Sequence, residues 1–334
     1  MGMEEFYGSD KLFTLKDASD SEIMMPILWE SLRHRFAGDA EIASLDIEML
    51  RRRKQRSVLR YRLHYQAGGA RQEMSLIAKV FKADHGEPVA HFMDDLWRNG
   101  FDRNATDKIP IPEVIAYLPE KSLLIQEEIG GRAVKEYLNT PEDERSIRQM
   151  ARGLAKLHRS PVRVGHEYRM EDHLRRCHPR PSLLRERCPN LRPAIDELLA
   201  EFHRLDEAWR HHPTTLIHGD FHMGQVHVDE THTWLIDFDA VAVADPAADL
   251  GNIVVFLKGK ERKVPNALYL VDAFLDEYFK EMPSEIHQRI ALFEAVTWLR
   301  RACKRLRFQK EGRERRASRF IEASLESLST VGRS

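Results

Sequence analysis

Cysteine is scarce in this chain, with three (Cys177, Cys188 and Cys303) at irregular spacing in 334 residues. So few thiols exclude a disulfide framework and fit a reducing compartment. No stretch approaches the ~18 consecutive apolar residues that a membrane helix needs. The start, MGMEEFYGSDKLFTLKDASD, lacks the basic-then-apolar layout of a secretory signal, and Phe6 stands where a myristoylation pattern wants Ser or Thr. Together these absences predict a cytoplasmic protein with no membrane partner. Net charge is nearly absent too, at −1, so nothing global draws the chain to a polyanion. Internal repeats and low-complexity linkers are also missing.

What remains is a chain with 42% hydrophobic and 31% charged residues, long enough to bury a substantial core in two lobes. Residues 20 to 36 have a helical pattern. SLDIEMLRRRKQRSVLRYRLHYQ predicts two strands around a basic loop, because Val58, Leu59, Tyr61 and Leu63 are strand formers beyond a polar break. EMSLIAKVFK continues as a third strand, Pro88 to Gly100 turns helical, and IPIPEVIAYLPEKSLLIQEEIGG supplies two more short strands. After Gly131 the pattern is mostly helical. Ile147, Met150, Ala151, Leu154, Ala155 and Leu157 share one face, with acidic residues in the first turn where the helix dipole favours them. Another helix is predicted from Arg192 to Trp209, and two or three more from Asn266 onward. The expected class is α+β: a small antiparallel sheet with one helix over residues 1–130, then a mostly helical lobe over 131–334.

The chemistry concentrates in LIHGDFHMGQVHVD (216–229) and the adjoining TWLIDFDAVAVADPAADLGN. A zinc site from His218, His222 and His227 would need those intervals to share a helical face, and Gly219, Gly224 and the β-branched neighbours speak against a helix. An isolated HGD would read as a polar turn between buried strands. The second acidic cluster argues otherwise: Asp220, Gln225 and Asp237 put two oxygen ligands and a candidate base around a hairpin. Such a group can hold Mg²⁺ and leave one carboxylate to accept a hydroxyl proton.

HGDFHMGQVHVD, with WLIDFD and DPAADLGN, resembles the aminoglycoside phosphotransferase and choline kinase superfamily. LIAKVF, LLIQEEIGG and LAKLH follow in that family's order. The resemblance implies a two-lobed, protein-kinase-like fold with ATP near Gly130 and Mg²⁺ as cofactors, and transfer of the γ-phosphoryl group to a small-molecule hydroxyl. By position it makes Asp220 the catalytic base, Gln225 and Asp237 the metal ligands, and Asp239 a fallback. His218 would help hold the loop, and Asp249 would brace it from the following helix. Lys79 would face the α and β phosphates. Glu127, Glu128 and Ile129 would form the adenine-binding hinge through backbone groups. Glu87, Asp94 and Asp95 are alternative partners for Lys79, and Asp245 is read as a helix cap.

Two positions depart from the family pattern. Gln225 replaces an asparagine, moving the amide oxygen by about 1.5 Å unless the loop compensates. RRRKQR (51–56) has no glycine where protein kinases place a glycine-rich turn, so it is either a solvated hairpin tip or a set of arginines that contact phosphate directly. The basic region Arg300 to Arg319 predicts a solvated or anion-facing helical surface, not a nucleic-acid site, because aromatic interleaving is lacking. Trp298 and Phe308 are assigned to the core or to an acceptor pocket. The spacing of His173, Cys177, His178 and Cys188 is unlike a zinc knuckle. The acceptor itself stays open between a sugar, an amino alcohol and a related metabolite. A nucleotide-binding pseudokinase and a Ser/Thr protein kinase are the alternative functions.

Overall fold

A computed structural model describes residues 14–36, 40–53, 56–307 and 312–331. The chain divides into two compact units, one of residues 1–131 with 234–236 and one of 132–233 with 237–334.

In the first unit, α1 (Leu15–Ala18) and α2 (Ser21–Leu32) precede three 12-residue strands, β1 (Glu41–Arg52), β2 (Arg56–Ala67) and β3 (Ala70–Phe81). Asp20 starts α2 by accepting the amide hydrogens of Glu22 and Ile23, as an N-cap carboxylate does. After α3 (Glu87–Leu96) come β4 (Val114–Leu118) and β5 (Leu123–Glu127). The sheet is antiparallel throughout in the order β1-β2-β3-β5-β4.

Alternation along the strands decides its two faces. Leu59, Tyr61 and Leu63 of β2 and Leu76, Ala78 and Val80 of β3 pack with Met24, Leu28 and Leu32 of α2. Tyr61 is fully buried and donates its hydroxyl to the Ala18 carbonyl at 2.6 Å, so its polar end is satisfied inside the core.

Two boundaries differ from the sequence reading. Strand β3 begins three residues earlier than EMSLIAKVFK suggested, because the Gly68-Gly69 turn carries the β2 pairing to Ala70. The predicted helix of 88–100 is α-helical only to Leu96 and then widens over Trp97–Phe101, where Gly100 adopts φ +87°. Arg51 and Arg52 end β1 and Arg56 opens β2, while Lys54 and Gln55 of the basic run lie outside the described residues. Trp234–Ile236 group with this unit, and the Leu235 amide donates to the Pro110 carbonyl at 3.1 Å.

The second unit is mostly helical. It contains β6 (Arg132–Ala133), α4 (Asp143–Arg159), α5 (Met170–Arg175), α6 (Pro181–Arg187) and α7 (Arg192–Ala208). Short strands follow: β7 (Thr215–Ile217), β8 (Val226–Val228), β9 (Thr233–Leu235) and β10 (Ala242–Ala244). The last four helices are α8 (Ala247–Lys258), α9 (Ala267–Tyr278), α10 (His287–Arg305) and α11 (Arg313–Ser329). Helix α4 buries the predicted apolar face and packs against α9, while α10 packs against both α8 and α11. Two short antiparallel pairs, β7 with β10 and β6 with β8, hold the segment that carries the candidate chemistry. Helices α5 and α6 were not anticipated; each is too short to display a helical period in sequence. Trp298 is buried on α10 and stacks on Phe320, whereas Phe308 lies outside the described residues.

Candidate active site

Leu216 and Ile217 are apolar and buried, so β7 carries the chain into the interior and delivers a polar loop at its end. Gly219 turns there with φ +77°. A Cβ at that position would collide with the Ala240 carbonyl oxygen, so both the torsion and the space require glycine. His218 is fully buried, its ring packed against Phe221 and Phe238.

The loop is clamped from α8. One Asp249 oxygen accepts the His218 amide at 2.7 Å, and the other accepts the Gly219 amide at 2.9 Å. His158, at the end of α4, bridges Asp249 at 3.3 Å through Nε2 and the Tyr278 hydroxyl at 2.7 Å through Nδ1. With both ring nitrogens engaged, His158 links Asp249 to Tyr278. Burial pushes the Asp249 carboxyl up, but hydrogen bonding and charge from His158, with the charge and amide of His218, outweigh it and hold the group below the usual carboxylate range. Burial pushes the Tyr278 phenol up, so it stays protonated as a donor.

Asn252 lies one helical turn beyond Asp249. Its Nδ2 donates to the Phe221 carbonyl at 2.7 Å and its Oδ1 accepts from Arg300 at 2.5 Å. Arg176 donates to the Gly219 carbonyl. The backbone from His218 to Phe221 is therefore held from α8 and, through Arg300, from α10.

Held in this way, Asp220 is half-buried, has no hydrogen-bond or ion-pair partner among the described residues, and lines a cavity. Gln225 is buried, and its Nε2 donates to Asp237 Oδ2 at 3.1 Å. Asp237 has φ +68°, a left-handed backbone that aspartate tolerates better than most residues and that aims its carboxylate at Gln225. The amide nitrogen, not the oxygen, faces Asp237, so the pair offers a hard divalent cation two oxygen ligands only with the Gln225 amide turned over. Asp239 is exposed.

The other histidines of the segment are engaged separately. His222 accepts the Gly224 amide at Nδ1 (3.0 Å) and packs on Phe256, and burial lowers its pKa; His227 lies in β8 opposite Ala133. Asp245 accepts the Ala247 amide at 2.9 Å, as expected of a cap, and also pairs with Arg289.

The remaining predicted residues belong to the first unit. Lys79 is buried in β3, opposite Val58 and Leu124, on the face away from Ala78 and Val80. The Glu127 amide donates to the Glu113 carbonyl at 2.9 Å and the Glu128 amide to Ser75 at 3.3 Å, while the Glu128 side chain is held by Arg60. Both amides are committed to the fold, and Ile129 has no such backbone bond.

A family model described as "Phosphotransferase enzyme family" matches residues 49–283, more than half of the chain and including the loop with Asp249, Asn252, His158, Tyr278 and Arg176, but not Arg300. The chain belongs to the phosphotransferase enzyme family. No curated protein sequence matches it. Among solved structures it is similar to an amicoumacin kinase, hAmiN, in complex with AMP-PNP, Ca²⁺ and Ami, at TM-score 0.61 and 15% identity over 98% of this chain and 96% of that one. The aminoglycoside phosphotransferase APH(4)-Ia is similar at TM-score 0.58 and 15% identity, covering 91% of this chain and 98% of that one. Choline kinase LicA from Streptococcus pneumoniae is similar at TM-score 0.56 and 16% identity, covering 91% and 99%. At these identities the likeness is one of fold, and it agrees with the α+β, kinase-like architecture.

Asn252, His158, Tyr278, Arg176 and Arg300 were missed as supports of this phosphotransferase-family loop. Two left a sequence signal: Asn252 follows Asp249 by three residues on one helix and so shares its face, and His158 closes the LAKLH motif. Tyr278, Arg176 and Arg300 come from distant segments, and no motif of the loop points to them.

Proposed function

We propose that the protein is an ATP-dependent small-molecule kinase that transfers the γ-phosphoryl group to a hydroxyl. The observation that carries this reading is Asp220: a carboxylate with no partner among the described residues, lining a cavity from a backbone clamped at His218 and Gly219, five residues before the Gln225 that pairs with Asp237. Family membership supports phosphotransfer. The similar structures are named as kinases of amicoumacin, aminoglycosides and choline, which supports a small acceptor, and AMP-PNP or ADP in their complexes supports ATP.

In this reading the acceptor oxygen attacks the γ-phosphorus as the bond to the ADP oxygen breaks, and Asp220 takes the hydroxyl proton. Gln225 and Asp237 would hold Mg²⁺, which when bound neutralises charge on the phosphates. Lys79 would bind phosphate oxygens. The Ile129 amide would donate to adenine, since those of Glu127 and Glu128 are already used. The clamp through Asp249 keeps Asp220 oriented, so that little reorganisation accompanies reaction.

Release of ADP from Mg-ATP across a panel of sugars, amino alcohols and hydroxy acids tests this, with Asp220→Asn as the control. Undiminished turnover in that variant would remove the base assignment. A nucleotide-binding pseudokinase is the second reading, favoured by the amide nitrogen of Gln225 facing Asp237. It predicts ATP binding with no transfer to any acceptor.

A further inference from the structure

The cavity beside Asp220 has a volume of about 250 Å³, below the ~300 Å³ at which pockets for drug-sized ligands begin. Its wall is strongly basic. Arg176, Arg300, Arg301, Lys304 and Arg307 line it, and Asp220 is the one acidic residue among the lining groups. None of the five cations has a carboxylate within 4.0 Å among the described residues.

Neutral or aromatic groups fix three of them. Arg176 donates to the Gly219 carbonyl, Arg300 donates to Asn252, and Arg301 lies over the rings of Phe256 at 4.8 Å and Trp298 at 5.2 Å. These partners orient guanidinium groups without cancelling charge. The uncompensated charge is visible in the arginines themselves. Burial, and then Arg176, lower the pKa of Arg300, while burial with Arg300 and Arg305 brings Arg301 down to about 10. Arg301 remains cationic at neutral pH, at a cost that an anion in the cavity would offset. The cations come from two places, since Arg176 follows α5 while Arg300, Arg301, Lys304 and Arg307 are on or just beyond α10. A solvated helix face does not account for that convergence. Thr297 and Asn252 add hydrogen-bonding groups to the same wall.

We infer that this cavity takes the phosphate acceptor and that the acceptor is an anion: a small hydroxyl compound carrying a phosphate or carboxylate group, held by the five cations with its hydroxyl toward Asp220. This deepens the kinase reading and rests on it. A cationic amino alcohol or a polycationic aminosugar would meet repulsion there. In the transfer, the acceptor O–H bond and the β,γ-bridging P–O bond break, the new P–O bond forms, the proton goes to Asp220 and ADP leaves. Arginine is suited to this task because its planar guanidinium matches oxyanions in two-point contact, and Lys304 adds a compact point charge.

The test is calorimetric titration of the whole protein with matched sets: glycerol, glycerol 3-phosphate and glycerate; glucose, glucose 6-phosphate and gluconate; and choline and kanamycin as cations. ADP release is measured for the same compounds. We expect binding by anionic members at least tenfold tighter than by their neutral counterparts, and none by the cations. Whether the phosphate or the carboxylate members bind more tightly identifies the oxyanion. Lys304 is exposed, so Lys304→Glu preserves folding; it should weaken anion binding tenfold or more and leave the Mg-ATP dissociation constant unchanged, with Lys304→Arg restoring the anion. The inference is overturned if neutral or cationic compounds bind as well as anions, if no anion binds at 10 mM, or if Lys304→Glu weakens Mg-ATP by the same factor, which would assign the cations to the nucleotide. Anion binding that survives Lys304→Glu also overturns it. Anion binding without any ADP release would sink the kinase reading and leave the anion site standing.

Discussion

Asp220 belongs to the loop that Asp249 braces from α8, and their surroundings differ sharply. Asp249 is 1% exposed and is filled by two backbone amides and an imidazole. Asp220 opens onto a basic cavity and has no described partner. A buried carboxylate whose two oxygens take three donors from the fold holds shape, whereas one left without a donor can accept a proton. The same residue type thus serves structure or chemistry according to whether the fold supplies it with N–H groups.

The largest effect expected separates the two. Asp220→Asn should lower kcat by about 10²–10⁴, with a smaller effect on the melting temperature, because the side chain loses no hydrogen bond among the described residues and only its charge near Arg300 is removed. Asp249→Ala should do the reverse first, destabilising the second unit by about 3–5 kcal/mol, because buried amides and His158 lose their acceptor. Calorimetric melting of both variants checks this; if Asp249→Ala melts like the parent, the clamp is not what holds the loop.

A smaller change probes the third member of the loop. Gln225→Asn should keep or raise Mg²⁺-dependent ADP release, while Gln225→Ala should raise the Mg²⁺ concentration for half-activity about tenfold, roughly 1.4 kcal/mol. An unchanged Mg²⁺ requirement in Gln225→Ala would remove it as a ligand.

A further effect concerns pH on the buried side. His173 is fully packed, and burial, then Arg176 and Arg300, push it down to about 3 from 6.5. The unfolded chain binds this proton below 6.5 and the folded one only near 3, so stability is lost as pH falls between those values, by at most about 1.4 kcal/mol per unit. Asp249, depressed below the 3.8 of an ordinary aspartate, contributes stability above that value and loses it as pH falls further. Melting curves from pH 7.5 to 5 should therefore slope in the parent and flatten in His173→Gln. Equal slopes would show that His173 is not the titrating group.

Much of this was legible in the chain. Strand alternation around Leu59–Leu63, the apolar face of 147–157 and the helical stretch 192–209 were readable because each runs long enough to display its period. The residue types of the loop, HGD with Gln225 and Asp237, announced oxygen-ligand chemistry. Less readable were α5 and α6, which are too short to show a period, and the early start of β3, which the pairing across the Gly68-Gly69 turn sets. The Arg300 to Arg319 region showed only as an anion-facing or solvated helical surface, since sequence cannot say that Arg176, more than a hundred residues earlier, converges on it.

Sequence by itself determined the elements and the chemical inventory, because backbone period and side-chain type are local properties. Tertiary structure decided which aspartate is filled and which is free, and that five cations without carboxylate partners among the described residues share a cavity with the free one. Hydrogen-bond satisfaction and charge balance depend on neighbours that only folding brings within a few ångströms.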